Sequence, residues 1–121
     1  MNATYAATEK EPIMETDVTP VWKRLCVLDE IPRLGSRVVK TIVGDIAVFR
    51  TADDEVFALR DECPHKQGPL SQGIVHGKTV TCPLHGWKLD LDTGVAQSPD
   101  VGHTRPFRVK VEDQHVWLAL G

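Results

Sequence analysis

Two short segments constrain this chain more than anything else in it: Cys63-Pro64-His65 and Cys82-Pro83-Leu84-His85, with sixteen residues between them. Each segment offers one thiolate and one imidazole. With a single residue between Cys63 and His65, both side chains can leave the same face of a tight loop. The sixteen-residue interval is long enough for a strand pair to run out and return. The second loop would then arrive from the opposite side. Two sulfurs and two nitrogens would converge on one place.

A donor set of this mixed kind is what a Rieske [2Fe–2S] centre needs, with two Cys on one iron and two His on the other. Cys63 and Cys82 would hold the inner iron, and His65 and His85 the outer one. Zinc is the competing metal. Structural zinc sites with these donors usually pair Cys with Cys and His with His at short spacing; here each pair is mixed. A third possibility leaves all four residues structurally idle.

The flanks carry further signals. Gly68 and Gly86 sit where backbone would approach a bound cluster, a use for a residue without a Cβ; both also read as ordinary turn glycines. Pro64 and Pro83 follow the two Cys and stiffen each loop. Pro69, Leu70, Leu84 and Trp87 form an apolar collar in sequence around the donors. Such a collar could shield a cluster and dock a redox partner, and Leu70 and Trp87 could equally be core.

The pattern Cys-x-His and Cys-x-x-His, followed by Asp90-x-x-Thr93-Gly94, resembles the Rieske-type ferredoxin family. The longer run from Cys63 to Asp90, continued by Thr93 to Asp100 and Thr104-Arg105, is similar to the small subunit of assimilatory NAD(P)H-dependent nitrite reductase. The likeness reaches back to Trp22. It implies an all-β domain, an antiparallel sandwich or small barrel over residues 21–121, with a cluster-binding subdomain inserted over about 60–91. It implies a Rieske [2Fe–2S] cofactor on Cys63, His65, Cys82 and His85. It also implies a large partner subunit carrying flavin, a [4Fe–4S] cluster and sirohaem, which reduces nitrite to ammonium with electrons from NAD(P)H. The small chain would serve that enzyme without a complete catalytic site of its own. A free ferredoxin feeding an aromatic-ring dioxygenase is the alternative. High-potential Rieske proteins resemble this pattern but add a bridging disulfide, where Gly68 and Leu84 stand here, and hydroxyls near the sulfurs, where Trp87 and Leu89 stand. Without hydrogen bonds to sulfur the potential is expected near the low end of the Rieske span.

Length and charge narrow the remaining possibilities. A chain of 121 residues is one domain by the usual prior. A net charge of −3 and the absence of a Lys/Arg run give nucleic-acid binding no support. No apolar stretch approaches a membrane span. Three cysteines cannot build a disulfide framework, which fits a reducing cytoplasm. Cys26, among Leu25, Val27 and Leu28, is expected to be a buried structural thiol. Residues 1–20, poor in large apolar groups and without a secretory pattern, are expected to be a mobile tail.

Short strands are expected at Trp22 to Leu28, Arg37 to Val43, Ile46 to Arg50, Val56 to Leu59, Ile74-Val75, Lys78 to Thr81, Trp87 to Leu91, Arg105 to Val111 and Val116 to Leu120. They are rich in β-branched residues and punctuated by Gly, Asp and Pro. Turns are expected at Gly44-Asp45, Asp53-Asp54-Glu55, His76-Gly77 and Asp92-Thr93-Gly94. His76 reads as a turn residue rather than a ligand, and His103 and His115 as solvated strand-edge residues. No segment holds a helical period.

Overall fold

The computed structural model describes residues 21–64, 68–84 and 86–120. The expected tail over residues 1–20 lies outside the described residues. The strands are β1 (Trp22–Val27), β2 (Ser36–Thr41), β3 (Gly44–Arg50), β4 (Val56–Arg60), β5 (Ile74–His76), β6 (Thr79–Thr81), β7 (Lys88–Asp90), β8 (Pro106–Glu112) and β9 (His115–Ala119). Two antiparallel sheets result: a six-stranded one in the order β1-β9-β8-β4-β3-β2, and a small one in the order β5-β6-β7. The large sheet curls into a half-barrel. It is weakest at the β4–β8 seam, where only Ala58↔Phe107 and Leu59↔Pro106 pair. Pro106 opens β8, where its missing N–H disturbs the ladder least.

Strand β3 divides the interior in two. Ile46, Ala47, Val48 and Phe49 are all fully buried, the continuous apolar run of a strand covered on both faces. Side chains alternate along a strand, so Ala47 and Phe49 join Leu59 in one core with Val75, Val80 and Leu89 of the small sheet. Ile46 and Val48 face the other way, into a second core with Cys26, Ile31, Phe107, Val116 and Leu118. The small sheet therefore lies against one face of β3 and β4. A bulge in β1 between Arg24 and Cys26 leaves Leu25 without a partner in the register, and such an extra residue re-aims the strand. Cys26 is buried in the second core, as its neighbours in sequence predict, and burial pushes its thiol pKa up.

The end of β3 is fixed by a buried charge. Arg50 is 7% exposed. It donates to the carbonyls of Ile31 (2.9 Å) and Leu28 (3.3 Å) and, through Nε, to Asp54 (3.0 Å). Arg33 adds a two-pronged contact to the same carboxylate. Asp54 sits at φ +66° in the β3–β4 turn, a conformation aspartate tolerates better than most residues.

Two expected turns lie elsewhere. The β2–β3 turn is Ile42-Val43, not Gly44-Asp45, which belong to β3. The Thr41 hydroxyl accepts from the Val43 N–H (3.1 Å) and donates to the Gly44 carbonyl (2.7 Å). That local chemistry overrides the β-branched run and leaves Ile42 96% exposed. The β5–β6 turn is Gly77-Lys78, with Gly77 at φ +59°. His76 is accordingly not at the tip: it ends β5, pairs with Thr79, and its ring Nε2 lies 2.8 Å from Thr81 Oγ1. Among the described residues no helix is long and apolar enough to cross a membrane.

Candidate metal centre

Three loops on the small-sheet side make the site. The first runs from the end of β4 through Cys63 to a 3-10 turn at Leu70–Gln72. The second links β6 to β7 through Cys82. The third returns from β7 to β8. Cys63 and Cys82 are 1% and 2% exposed and belong to the same core. No disulfide joins any of the three cysteines. Each thiol is carried by a backbone-closed loop: the Cys63 N–H donates to the Gly68 carbonyl (2.8 Å), and the Cys82 N–H to the Trp87 carbonyl (2.7 Å). His65 and His85 lie outside the described residues; the structure brings the other two candidate donors, Cys63 and Cys82, into one core.

The two expected close-approach glycines differ in their reason. At Gly68 a Cβ would stand 2.6 Å from Leu84 Cδ1 and 3.9 Å from Cys82 Sγ. The first and second loops therefore touch there, and a side chain would push them apart. At Gly86 a Cβ would meet nothing within 4 Å among the described residues, but φ is +74°, so its backbone conformation calls for glycine. The collar divides in the same way. Leu70 is wholly buried core, Trp87 is half-buried against that core, and Leu84 is 50% exposed beside the cysteine loops.

The third loop, residues 91–105, forms a wall of the candidate site. A Cβ at Gly102 would lie 3.2 Å from Pro64 and 3.6 Å from the Trp87 ring, so this loop packs on both cysteine loops. It is held by Ala96 N–H to Gly102 O (2.9 Å), Thr104 N–H to Gly94 O (2.9 Å) and a Val95↔His103 bridge. Gln97 reaches back to Thr79 Oγ1 (3.1 Å) and Asp90 Oδ1 (2.9 Å), pinning the loop to the small sheet. Its tip leaves Val101 87% exposed. The hint in the sequence was the pair Pro99 and Gly102, which punctuate a loop without revealing what it packs against. A cleft of about 490 Å³ opens beside Cys63, lined by Arg60, Glu62, Pro64, His103 and Arg105 among others. Arg60 is paired with Glu62 (3.4 Å), and Arg105 lies over the Phe107 ring. His103 is exposed, as its strand-edge position predicts, while His115 is half-buried at the start of β9.

Two buried thiols on opposed loops fit a metal better than they fit a bare core. Burial disfavours a lone thiolate, and a bound metal ion is what stabilises one. The comparisons agree with that chemistry. Residues 21–117 match the Rieske [2Fe-2S] domain. A 4beta-methylsterol monooxygenase of Methylococcus capsulatus is 39% identical over 103 residues, covering 74% of this chain but only 28% of that protein. The ferredoxin CarAc of Metapseudomonas resinovorans is 31% identical over 101 residues, covering 82% of this chain and 94% of the ferredoxin. Among solved structures, a chain described as the small subunit of an NADPH nitrite reductase superposes with a TM-score of 0.72 at 28% identity, covering 81% of this chain and 97% of that one. This chain thus spans under a third of the monooxygenase and nearly all of the ferredoxin. The match to the domain, over four-fifths of the sequence, carries the implication of a Rieske cluster with it: the chain belongs to the Rieske [2Fe-2S] domain family and is an electron-transfer domain of that kind.

Proposed function

We propose that Cys63 and Cys82 hold the inner iron of a [2Fe–2S] cluster and His65 and His85 the outer iron. The observation that carries this is the burial of both thiols, on touching loops, in one core. When bound, the cluster supplies a one-electron couple. The chain's own residues do the rest. Leu70, Leu89 and the half-buried Trp87 keep water from the thiolates. The imidazoles are neutral donors, so each keeps one ring N–H, which can hydrogen-bond a partner or hold a proton as charge changes nearby. The exposed Leu84 and Val101 give the loop tips an apolar rim for contact. Iron and sulfide analysis with EPR of the dithionite-reduced protein, prepared anaerobically, tests this: about two irons per chain and a Rieske-type spectrum are expected. A colourless, iron-free preparation with all four residues intact would refute it.

The finer reading is that this is the small subunit of an NAD(P)H-dependent nitrite reductase. It would bind a large subunit carrying flavin, [4Fe–4S] and sirohaem. Its support is the run from Cys63 to Asp100 together with the small-subunit neighbour at 28% identity. A second reading, a free ferredoxin serving a ring-hydroxylating dioxygenase, is favoured by the 31% identity to a ferredoxin over nearly that protein's whole length. Affinity purification from native cells separates them. Stable recovery of a large sirohaem protein supports the first reading; an isolated monomer that reduces an oxygenase supports the second.

A further inference from the structure

The two cysteine loops are closed by different means. The second joins β6 to β7, which are neighbours in one sheet, so the Thr81↔Lys88 pair already brings its ends together. The first leaves β4 in the large sheet and leads to β5 in the small one. No ladder can close it. Beyond the inner Cys63–Gly68 backbone bond, side chains do so. Asp61 Oδ1 accepts the Ser71 N–H (2.7 Å), and Oδ2 accepts the Ser71 hydroxyl (2.9 Å). Both carboxylate oxygens are thus spent on one residue at the far end of the loop, in short charge-assisted bonds. Each end is also tied to the large sheet: the Asp61 N–H donates to Asp45 O on β3 (2.9 Å), and Ser36 Oγ on β2 donates to Ser71 O (2.7 Å). Cys63 lies inside the ring so formed.

We propose that Asp61 is a positioning residue: its carboxylate clasps the entry and exit of the first loop and so holds Cys63 where the cluster needs it. The cluster part rests on the ligand reading above. The clasp gives this loop the closure that the β-ladder gives the other, and it lowers the entropy lost when the loop engages a ligand.

The test compares holoproteins carrying Asp61→Asn, Asp61→Ala, Ser71→Ala and Ser71→Thr. Asparagine can keep both contacts, accepting from the Ser71 N–H and donating to its hydroxyl, without the charge. The read-outs are the rate of iron loss to an external chelator and hydrogen exchange at the Cys63 amide. Asp61→Ala is expected to raise both by at least about tenfold, the factor one charge-assisted hydrogen bond is worth. Ser71→Ala should fall between, with Asp61→Asn and Ser71→Thr near wild type. Exchange at Val48 and Phe49 in β3 should not change. The proposal is overturned if Asp61→Ala behaves as wild type, if exchange rises equally in β3, or if Asp61→Asn matches Asp61→Ala. A wild-type protein without iron would instead sink the ligand reading, and the exchange data would still decide the clasp.

Discussion

Gly68→Ala probes the contact between the two cysteine loops. The new methyl carbon would stand 2.6 Å from Leu84 Cδ1 and 2.9 Å from Cγ, against about 3.5–4.0 Å for an ordinary carbon contact. Leu84 must give way by about 1 Å. It can, because it is half exposed and the atoms met belong to its side chain, not to backbone. Leaving its rotamer costs about 0.5–1.5 kcal/mol, and losing its half-buried packing roughly 1 kcal/mol more. The sum, about 1.5–2.5 kcal/mol, corresponds to roughly 10- to 70-fold in how often the loops part. The assay is chelator-driven iron loss in a double-mutant cycle with Leu84→Ala. That second change removes the atoms the methyl would meet, while Cys82 Sγ at 3.9 Å stays at ordinary distance. Gly68→Ala should therefore accelerate iron loss in the wild-type background and have almost no effect in the Leu84→Ala background. Strictly additive effects would mean that Gly68 and Leu84 do not face each other, and the loop contact would be wrong.

The remaining predictions concern the metal, its potential and the scaffold. Cys63→Ala and Cys82→Ala should each abolish iron binding, whereas Cys26→Ala should leave iron content unchanged; its raised thiol pKa also predicts slow alkylation of Cys26 at neutral pH in the folded protein. The cluster's midpoint should lie near −150 mV or somewhat above, the low end for Rieske centres, since a buried Leu89 can offer no hydroxyl to sulfur; a redox titration well above zero contradicts this. Hydrogen bonds from Arg50, and then Arg33, hold the Asp54 carboxyl below the ordinary aspartate value of 3.8. A lowered folded pKa means stabilisation that is complete at neutral pH and lost as pH falls through 3.8 toward the folded value. Asp54→Asn tolerates the same positive φ, so its urea midpoint should lie below wild type at pH 7, with the gap narrowing as pH drops; a constant gap would argue against the pairing.

Much of the fold was legible because its signals are local. The alternation of Phe107, Val109 and Val111 against Arg108 and Lys110 gives β8, and the Gly/Asp punctuation places Gly94 at positive φ in its turn. The turns at Ile42-Val43 and Gly77-Lys78 lie one or two residues from where the Gly/Asp punctuation puts them. There the decision rests with the Thr41 hydroxyl and the β5–β6 register, which leave no trace in hydropathy. The convergence of Cys63 and Cys82 in one core was legible from the spacing of the two loops. The third loop was not: its role depends on Gly102 meeting Pro64 and Trp87, contacts between residues far apart in the chain.

The same distinction accounts for where the site sits. Every residue from Ile46 to Phe49 is buried, so β3 works as an internal wall and not as a surface strand. Its Ile46–Val48 face is sealed by β1, β8 and β9 in a core that contains Cys26 and neither loop cysteine. Its Ala47–Phe49 face supports the small sheet together with Cys63 and Cys82. A short chain has little apolar area to spare. Sharing one strand between two cores lets it support the small sheet and both loop cysteines while the half-barrel behind packs a core of its own. The second cysteine loop and the third loop can then stay partly exposed, at Leu84 and Val101 respectively.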